Sequence, residues 1–380
     1  MREWLAFLPY VWRTVARARV RSLGTIVGTA LALVLFTFVR LVGTGTTDLV
    51  EGSARPLLVV FQDARFCPMQ STLPVRYART IAAVPGVASV LATVVFVNAC
   101  RSNLDLVTLH GVPRDGAFPT YDLEVVAGAA APFETRSDSA LVGERLAARR
   151  GLEPGQRARL GPVDVEVVAI VRSANADVAN LAFVDIDQLA LARERQGTAT
   201  QFVVRLTGES PPETVAREID ARFRTDEART DTSTMQAFVA AAVAEIEELV
   251  GFARWLGWVG VAIVGLLVAN TVQISAEARA GEMAVLETLG MSGLVRAGLI
   301  VTEGVLLAVA GGTLGAVAVS GALWIWPLTI GIEGHGIDVA PSFVTVLEAV
   351  GTAAVLGVVA SLAPAIATVR RPLWSAIRSD

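Results

Sequence analysis

Four stretches of the chain are apolar for long enough to cross a bilayer, which takes about 20 residues. They cover about Leu23–Val42, Val250–Ile274, Ala297–Ile325 and Phe343–Val369. The first is uncharged until Arg40, the second has Arg254 near its start, the third carries Glu303 inside it and the fourth has Glu348 one turn in. A carboxylate at the depth of Glu303 is costly in hydrocarbon, so it should face protein or water. Gly311, Gly312, Gly315 and Gly321 in the third stretch should let neighbouring helices approach closely. The first stretch is too long for the apolar core of a secretory signal and lacks a convincing cleavage site after it, so a retained anchor is expected. Ahead of it, Trp4, Leu5, Leu8, Val11, Trp12 and Val15 recur at helical spacing, with Arg13, Arg17, Arg19 and Arg21 among and after them. That pattern predicts an amphipathic helix over residues 1–22, lying in the membrane interface.

Residues 44–249, between the first and second spans, alternate between strand and helix signals. Leu57–Phe61, Val87–Val97, Leu104–Gly111, Leu181–Val184 and Gln201–Leu206 are short apolar or alternating runs that predict strands. Arg157–Leu160 and Val163–Val171 predict a hairpin across Gly161-Pro162. Helices are predicted over Pro74–Val84, stopped by Pro85-Gly86, and over Ser139–Arg150, stopped by Gly151. Further helices are predicted over Ile186–Arg195, Pro212–Arg224 and Thr234–Leu249, the last running into the second span. The order is mixed rather than a regular βαβ alternation, so the inserted region should be an α+β domain. Residues 326–342, with the Gly-rich Gly331–Gly336, are expected to form a short external loop.

Charge placement sets the expected orientation. Arg2, Arg13, Arg17, Arg19 and Arg21 precede the first span against one acid, Glu3, and Arg370, Arg371 and Arg378 follow the last. Basic flanks stay in the cytoplasm, so both ends are expected there, with the 44–249 domain outside and residues 275–296 and the 370–380 tail inside. Cys67 and Cys100 both fall in the external domain. An oxidising compartment favours one disulfide between them, the alternative being two buried thiols.

Composition excludes several classes. The chain has 380 residues, is 53% hydrophobic and carries a net charge of −4. Such a balance does not suit a nucleic-acid binder. All of its 32 basic residues are arginine, so the usual phosphate loop with its lysine is absent and the chain should not hydrolyse ATP itself. Only His110 and His335 are present, neither within a cluster at metal-ligand spacing nor in a recognisable Ser-His-Asp set. Neither catalysis nor a cofactor or metal in this chain is expected.

The segment that remains to be explained is Glu277-Ala-Arg279-Ala-Gly-Glu282-Met283-Ala-Val-Leu286-Glu287-Thr-Leu289-Gly290. It is helix-prone and charged, yet lies between two spans. It must therefore sit at the membrane face, within reach of a soluble partner. Met283, Leu286 and Leu289 are expected to form an apolar stripe with Glu282 and Glu287 off it, as a helix seeking a partner's groove would have. Gly290 suits the left-handed residue at a helix C-terminus. The plainer alternative is a loop helix lying on lipid headgroups.

Arg279, Glu282, Leu286 and Gly290 stand as Arg-x-x-Glu-x-x-x-Leu-x-x-x-Gly, and Ala363-Pro364-Ala365 with Arg370-Arg371-Pro372 closes the chain. This arrangement resembles the FtsX/MacB-type ABC transporter permeases. The inserted domain is similar to their extracytoplasmic core domain in Ile81–Val87, Ala140–Ala147, Gly151–Gly155, Val168–Val171 and Phe202–Phe223. The resemblance implies an α-helical membrane protein of four spans with a two-lobed outer domain, its smaller lobe at about 115–195. It implies that Glu277, Arg279, Glu282, Met283, Leu286, Leu289 and Gly290 couple to a separate cytoplasmic ATPase, which binds the ATP and magnesium. It further implies a second permease, either an identical copy or a paralogue, paired through the first and second spans, mechanotransmission rather than a channel, a possible periplasmic adaptor, contact with membrane lipid and an inner-membrane location. A lipoprotein-sorting permease and an FtsX-like scaffold that activates a cell-wall hydrolase are the alternatives within the same superfamily. A membrane receptor without an ATPase is the alternative outside it.

Overall fold

A computed structural model of the chain describes residues 13, 17, 19–64, 70–97, 107–174, 176–332 and 335–370. Cys67, Cys100, most of the predicted 1–22 helix and residues 371–380 lie outside the described residues. The chain divides into two compact units, one of Met1–Gly43, Glu248–Trp326 and Ala340–Asp380, the other of Thr44–Glu247 and Pro327–Val339.

The elements follow in chain order. Helix α1 (Arg19–Gly52) leads to β1 (Leu57–Gln62), β2 (Leu73–Pro74), α2 (Tyr77–Ala82), β3 (Val87–Val97) and β4 (Thr108–Val112). Next come α3 (Ala117–Tyr121), β5 (Glu124–Gly128), α4 (Ala131–Thr135), β6 (Ser139–Gly143), α5 (Glu144–Arg150), β7 (Arg157–Leu160) and β8 (Val163–Arg172). After a 3₁₀ turn at Ala176–Asn180 follow β9 (Leu181–Asp185), α6 (Ile186–Ala192), β10 (Thr198–Ala199), β11 (Gln201–Leu206), α7 (Pro212–Arg222) and β12 (Thr230–Thr234). The chain closes with α8 (Met235–Ala278), α9 (Ala280–Thr288), α10 (Gly293–Ile325), the hairpin β13 (Leu328–Ile332) and β14 (His335–Val339), and α11 (Phe343–Arg370).

Among the described residues, four helices are long and apolar enough to cross a membrane: Arg19–Gly52, Ile246–Ala278 within α8, Gly293–Ile325 and Phe343–Arg370. These are the helices of a multi-pass membrane protein, with a large α/β domain between the first and second of them. In the membrane unit, Leu33, Phe36, Val261 and Ala353 form one apolar cluster, and Val264, Val268, Val272, Ala276, Ile300 and Ala365 another. The hydroxyls of Thr25 and Thr271 hydrogen-bond at 2.8 Å between α1 and α8, which satisfies two buried polar groups at once.

Glycine lets α10 meet α1 backbone to backbone. A side chain at Gly315 would stand 2.5 Å from the carbonyl oxygen of Ala30, and one at Gly311 would stand 2.7 Å from that of Ile26. Gly321 differs from the sequence expectation: nothing lies within 4 Å of its side-chain position, so it makes no close helix approach. The two sites give an internal contrast. Gly315→Leu is expected to destabilise the purified protein by about 1–3 kcal/mol through overpacking, and Gly321→Leu to leave its thermal unfolding midpoint unchanged.

In the outer unit one mixed sheet runs in the order β12-β1-β11-β3-β4-β9-β6-β8-β5, with β7 on β8. Strand β3 belongs to both halves: Val87–Thr93 pair with β11 and Val94–Val97 with β4. Strands β1, β4, β6, β9 and β11 bury both faces, which is why β1, β9 and β11 read as short apolar runs. Leu58, Val60, Phe202 and Val204 point to a core with Ile81, Ile219 and Phe223, beneath α2 and α7. Their neighbours Leu57, Val59 and Val203 point to the opposite core, which holds Met235, Val239 and Val243 of α8 and Leu49 of α1. The other half of the sheet has its own core around Leu109, Val142, Leu146, Val165 and Leu189.

Three parts of this unit depart from the sequence expectation. Ser139–Gly143 is a strand rather than the start of a helix, buried throughout and lying between β8 and β9. Helix α5 begins only at Glu144 and ends at Gly151, whose φ of +61° needs no side chain. The second half of the sheet includes β4 and the end of β3, so it starts before residue 115. Residues 326–342 hold a hairpin rather than a bare loop, with Ile330 paired to Ile337. Ile337 is fully buried in the core beside Leu49. Asp338 accepts hydrogen bonds from Asn180 at 3.0 Å and Thr329 at 2.9 Å, and pairs with Arg145. These bonds fix the connection between the third and fourth spans as part of the outer unit.

Candidate coupling site

The segment between the second and third spans is two helical pieces with defined breaks. Helix α8 ends at Ala278, Arg279 leaves helical geometry at φ −115° and ψ 19°, and α9 begins at Ala280. The C-terminus of α9 is closed by Gly290 at φ +84°, with the Gly290 N–H donating to the carbonyl of Glu287 and the Met291 N–H to that of Leu286. That pair of bonds is a Schellman motif, and it needs a residue without a Cβ at the left-handed position. Ser292 then takes the extended geometry of an N-cap, and α10 starts at Gly293.

The anchor of the segment is a three-residue cluster. Arg279 forms an ion pair with Glu303, and the two side chains are only 12% and 5% exposed. Ser275 donates to Glu303 at 2.6 Å and accepts from Nη2 of Arg279 at 2.8 Å, while Nε of Arg279 donates to the Ser275 carbonyl at 3.3 Å. The costly carboxylate inside the third span is thus neutralised by the arginine at the head of α9, with a hydroxyl between them. A second pair, Glu287 with Arg296 at 2.6 Å, ties the end of α9 to the first turn of α10. Arg296 is buried and its Nε has no hydrogen-bond partner among the described residues, so Glu287 is its main compensation. Glu277 accepts from Gln273 at 2.6 Å, one turn back on α8, and Glu282 stands on the exposed side of α9.

The apolar stripe expected from the sequence splits between two faces. Met283 is buried at 2% exposure, Leu286 is half-buried, and Leu289 is 75% exposed. Met283 and Leu289 are six residues apart and so stand about 120° apart around a helix of 3.6 residues per turn. The outward apolar pair is Val285, 58% exposed, with Leu289 one turn on. The i, i+4 spacing of Val285 and Leu289 is visible in the sequence, but which side α9 turns inward depends on the Arg279–Glu303 pair.

The arrangement is a short helix between two spans, held on one side by Arg279 and Met283 and bare on the other at Val285 and Leu289. Residues 22–222 match the MacB-like periplasmic core domain, and residues 255–373 match the FtsX-like permease C-terminal domain. The first match covers more than half of the chain, and the chain belongs to the FtsX/MacB-like family of ABC transporter permeases. The family is one of permease subunits, and membership implies an ABC ATPase as partner. No curated protein matches the chain.

Among solved structures, the extracellular domain of the noncanonic ABC-type transporter YknZ from Gram-positive bacteria is 16% identical at a TM-score of 0.35, covering 47% of this chain and 99% of that one. The periplasmic region of MacB from Actinobacillus actinomycetemcomitans is 10% identical at a TM-score of 0.39, covering 51% of this chain and 95% of that one. A domain of a putative permease protein from Porphyromonas gingivalis is 14% identical at 0.33, covering 47% and 90%.

Proposed function

We propose that the chain is the permease subunit of an inner-membrane ABC complex in which a separate ATPase drives movement of the extracytoplasmic domain. Export or extraction of a substrate at the outer side of the membrane would follow from that movement. The observation that carries this reading is helix α9, with Met283 and Arg279 packed inward and Val285 and Leu289 left bare. A short rigid helix held by a buried ion pair transmits a push, where a flexible loop would absorb it. Both chain ends and α9 would face the cytoplasm, as the arginine-rich flanks argue. ATP and magnesium would be bound by the ATPase. Two permease copies would pair through their first and second spans, with an adaptor joining outside. Helix α8 is one uninterrupted helix from Met235, in the outer core, to Ala278.

The test is affinity purification of the tagged full-length chain in mild detergent, with mass spectrometry of what accompanies it. A stoichiometric ABC ATPase is the expected result. A stable preparation free of any ATPase would overturn the coupling role of α9.

A further inference from the structure

Charged side chains gather at one other place in the membrane unit. A cavity of about 310 Å³ is lined by Arg40 of α1, Arg254 and Trp258 of α8, and Glu348 and Gly351 of α11, with Phe36 among its walls. Arg40 donates to the same oxygen of Glu348 from Nε at 3.2 Å and Nη2 at 2.5 Å. Arg254 has no ion-pair or hydrogen-bond partner among the described residues, and its side chain is exposed. The cavity therefore holds two guanidinium groups against one carboxylate, a net positive charge. Its apolar wall is the edge-to-face pair of Phe36 and Trp258, with ring centroids 5.3 Å apart.

Depth narrows the choice of occupant. At the rise of an α-helix, Arg40, Arg254 and Glu348 stand about 31–36 Å along their helices from Arg19, Ala278 and Arg370 respectively. That is about one hydrocarbon thickness, which puts the cavity at the headgroup level of the extracytoplasmic leaflet, where the chain enters and leaves its inserted domain. A lone guanidinium at the edge of hydrocarbon is costly unless an anion or water meets it. Its planar fork matches a phosphate, donating two parallel hydrogen bonds. The aromatic wall beside it offers an apolar surface to a glycerol backbone and the first methylenes of an acyl chain. A free anion would gain nothing from that wall. Gly351 adds no side chain to the space.

From this geometry we infer that the cavity binds the phosphate of an anionic phospholipid of the extracytoplasmic leaflet. Arg254 is the phosphate ligand, and the Arg40–Glu348 pair sets the local charge. A zwitterionic lipid brings its own ammonium, which the uncompensated positive charge disfavours. The lipid is thus bound by headgroup charge and held in place by Phe36 and Trp258, independently of whether the ATPase is docked.

The experiment titrates the purified full-length chain with phosphatidylglycerol or phosphatidylcholine of identical acyl chains and counts bound lipids by native mass spectrometry. The first phosphatidylglycerol is expected to bind about ten-fold more tightly than phosphatidylcholine, because both offer the phosphate but only phosphatidylcholine brings an ammonium beside the excess positive charge. Arg254→Gln is expected to bring the two lipids to equal affinity, and Arg254→Lys to keep part of the preference as a point charge without the fork. An Arg150→Gln control in the outer unit should change nothing. Equal binding of the two lipids by the unmodified chain, or an undiminished preference in a folded Arg254→Gln protein, would overturn the site. Displacement of all bound phosphatidylglycerol by millimolar inorganic phosphate would assign the cavity to a free anion and overturn the lipid.

Discussion

Leu289→Asp is expected to strip the ATPase from the purified permease, lowering its recovery by about 100-fold or more while the permease itself inserts and folds as before. The reasoning starts from exposure. Leu289 is 75% exposed and touches little of its own chain, so a polar residue there costs the free permease almost nothing. In a docked complex the same side chain would be buried. Losing its apolar contact removes about 1.5–3 kcal/mol, and desolvating a carboxylate in its place adds a further cost. Since about 1.4 kcal/mol is a factor of ten in affinity, the sum passes two orders of magnitude. Val285→Asp, one turn away, should behave in the same way. Met283→Asp is the informative contrast, because Met283 is buried at 2% exposure and its replacement should damage the permease fold before any partner is involved. Equal ATPase recovery from Leu289→Asp and the unmodified chain would remove α9 from the docking surface.

Glu303→Ala should be the most destabilising single change in the membrane unit. It leaves Arg279, 12% exposed, with its charge buried and, among the described residues, only Ser275 to answer it. Removing one partner of a buried pair costs about 3–5 kcal/mol. The measurement is thermal unfolding of the purified protein in detergent, read together with ATP turnover of the assembled complex. The double change Arg279→Met with Glu303→Leu separates two roles for the pair. If the pair serves only to neutralise charge, the apolar double variant should recover the stability lost in Glu303→Ala, as replacement of a buried ion pair by packed apolar groups often does. Coupling should nevertheless stay impaired, because Arg279 also fixes the break between α8 and α9 through the Ser275 carbonyl. Full recovery of both stability and coupled turnover would reduce the pair to a packing element.

The sheet illustrates what a linear reading can and cannot reach. Val87–Val97 was legible as a strand because it is rich in β-branched residues and follows the turn formers Pro85-Gly86, and the structure has the strand over those residues. That one strand serves two sheet halves was not legible, because the switch from β11 to β4 at Thr93–Val94 depends on partners more than a hundred residues and about fifteen residues away. Ser139–Gly143 reads as helix because Glu144–Arg150 behind it is one and the lone Gly143 between them does not by itself end a helical pattern. What makes it a strand is its position between β8 and β9, where every side chain is buried and the backbone can pair on both edges. The hairpin at 328–339 carries a Gly-rich turn and few residues, so it resembles a loop until Ile337 and Asp338 find the core and Arg145.

The amino-acid order by itself determined that four spans exist, that a large mixed α/β region separates the first two, and that a charged helix-forming segment lies between the second and third. These follow from hydrophobic length, periodicity and the cost of charge in hydrocarbon, all of which are local. Arg279 and Glu303 were each singled out by such local rules, one as a surface charge and one as an intramembrane charge. Only the tertiary structure joined them, and that joining decides which face of α9 is inward, so that Met283 is buried and Val285 with Leu289 is exposed. The meeting of Arg40 and Glu348 from the first and last spans, with Arg254 beside them, is likewise absent from any local pattern. Helix packing brings such charges together, and pairing at that depth is what makes them tolerable.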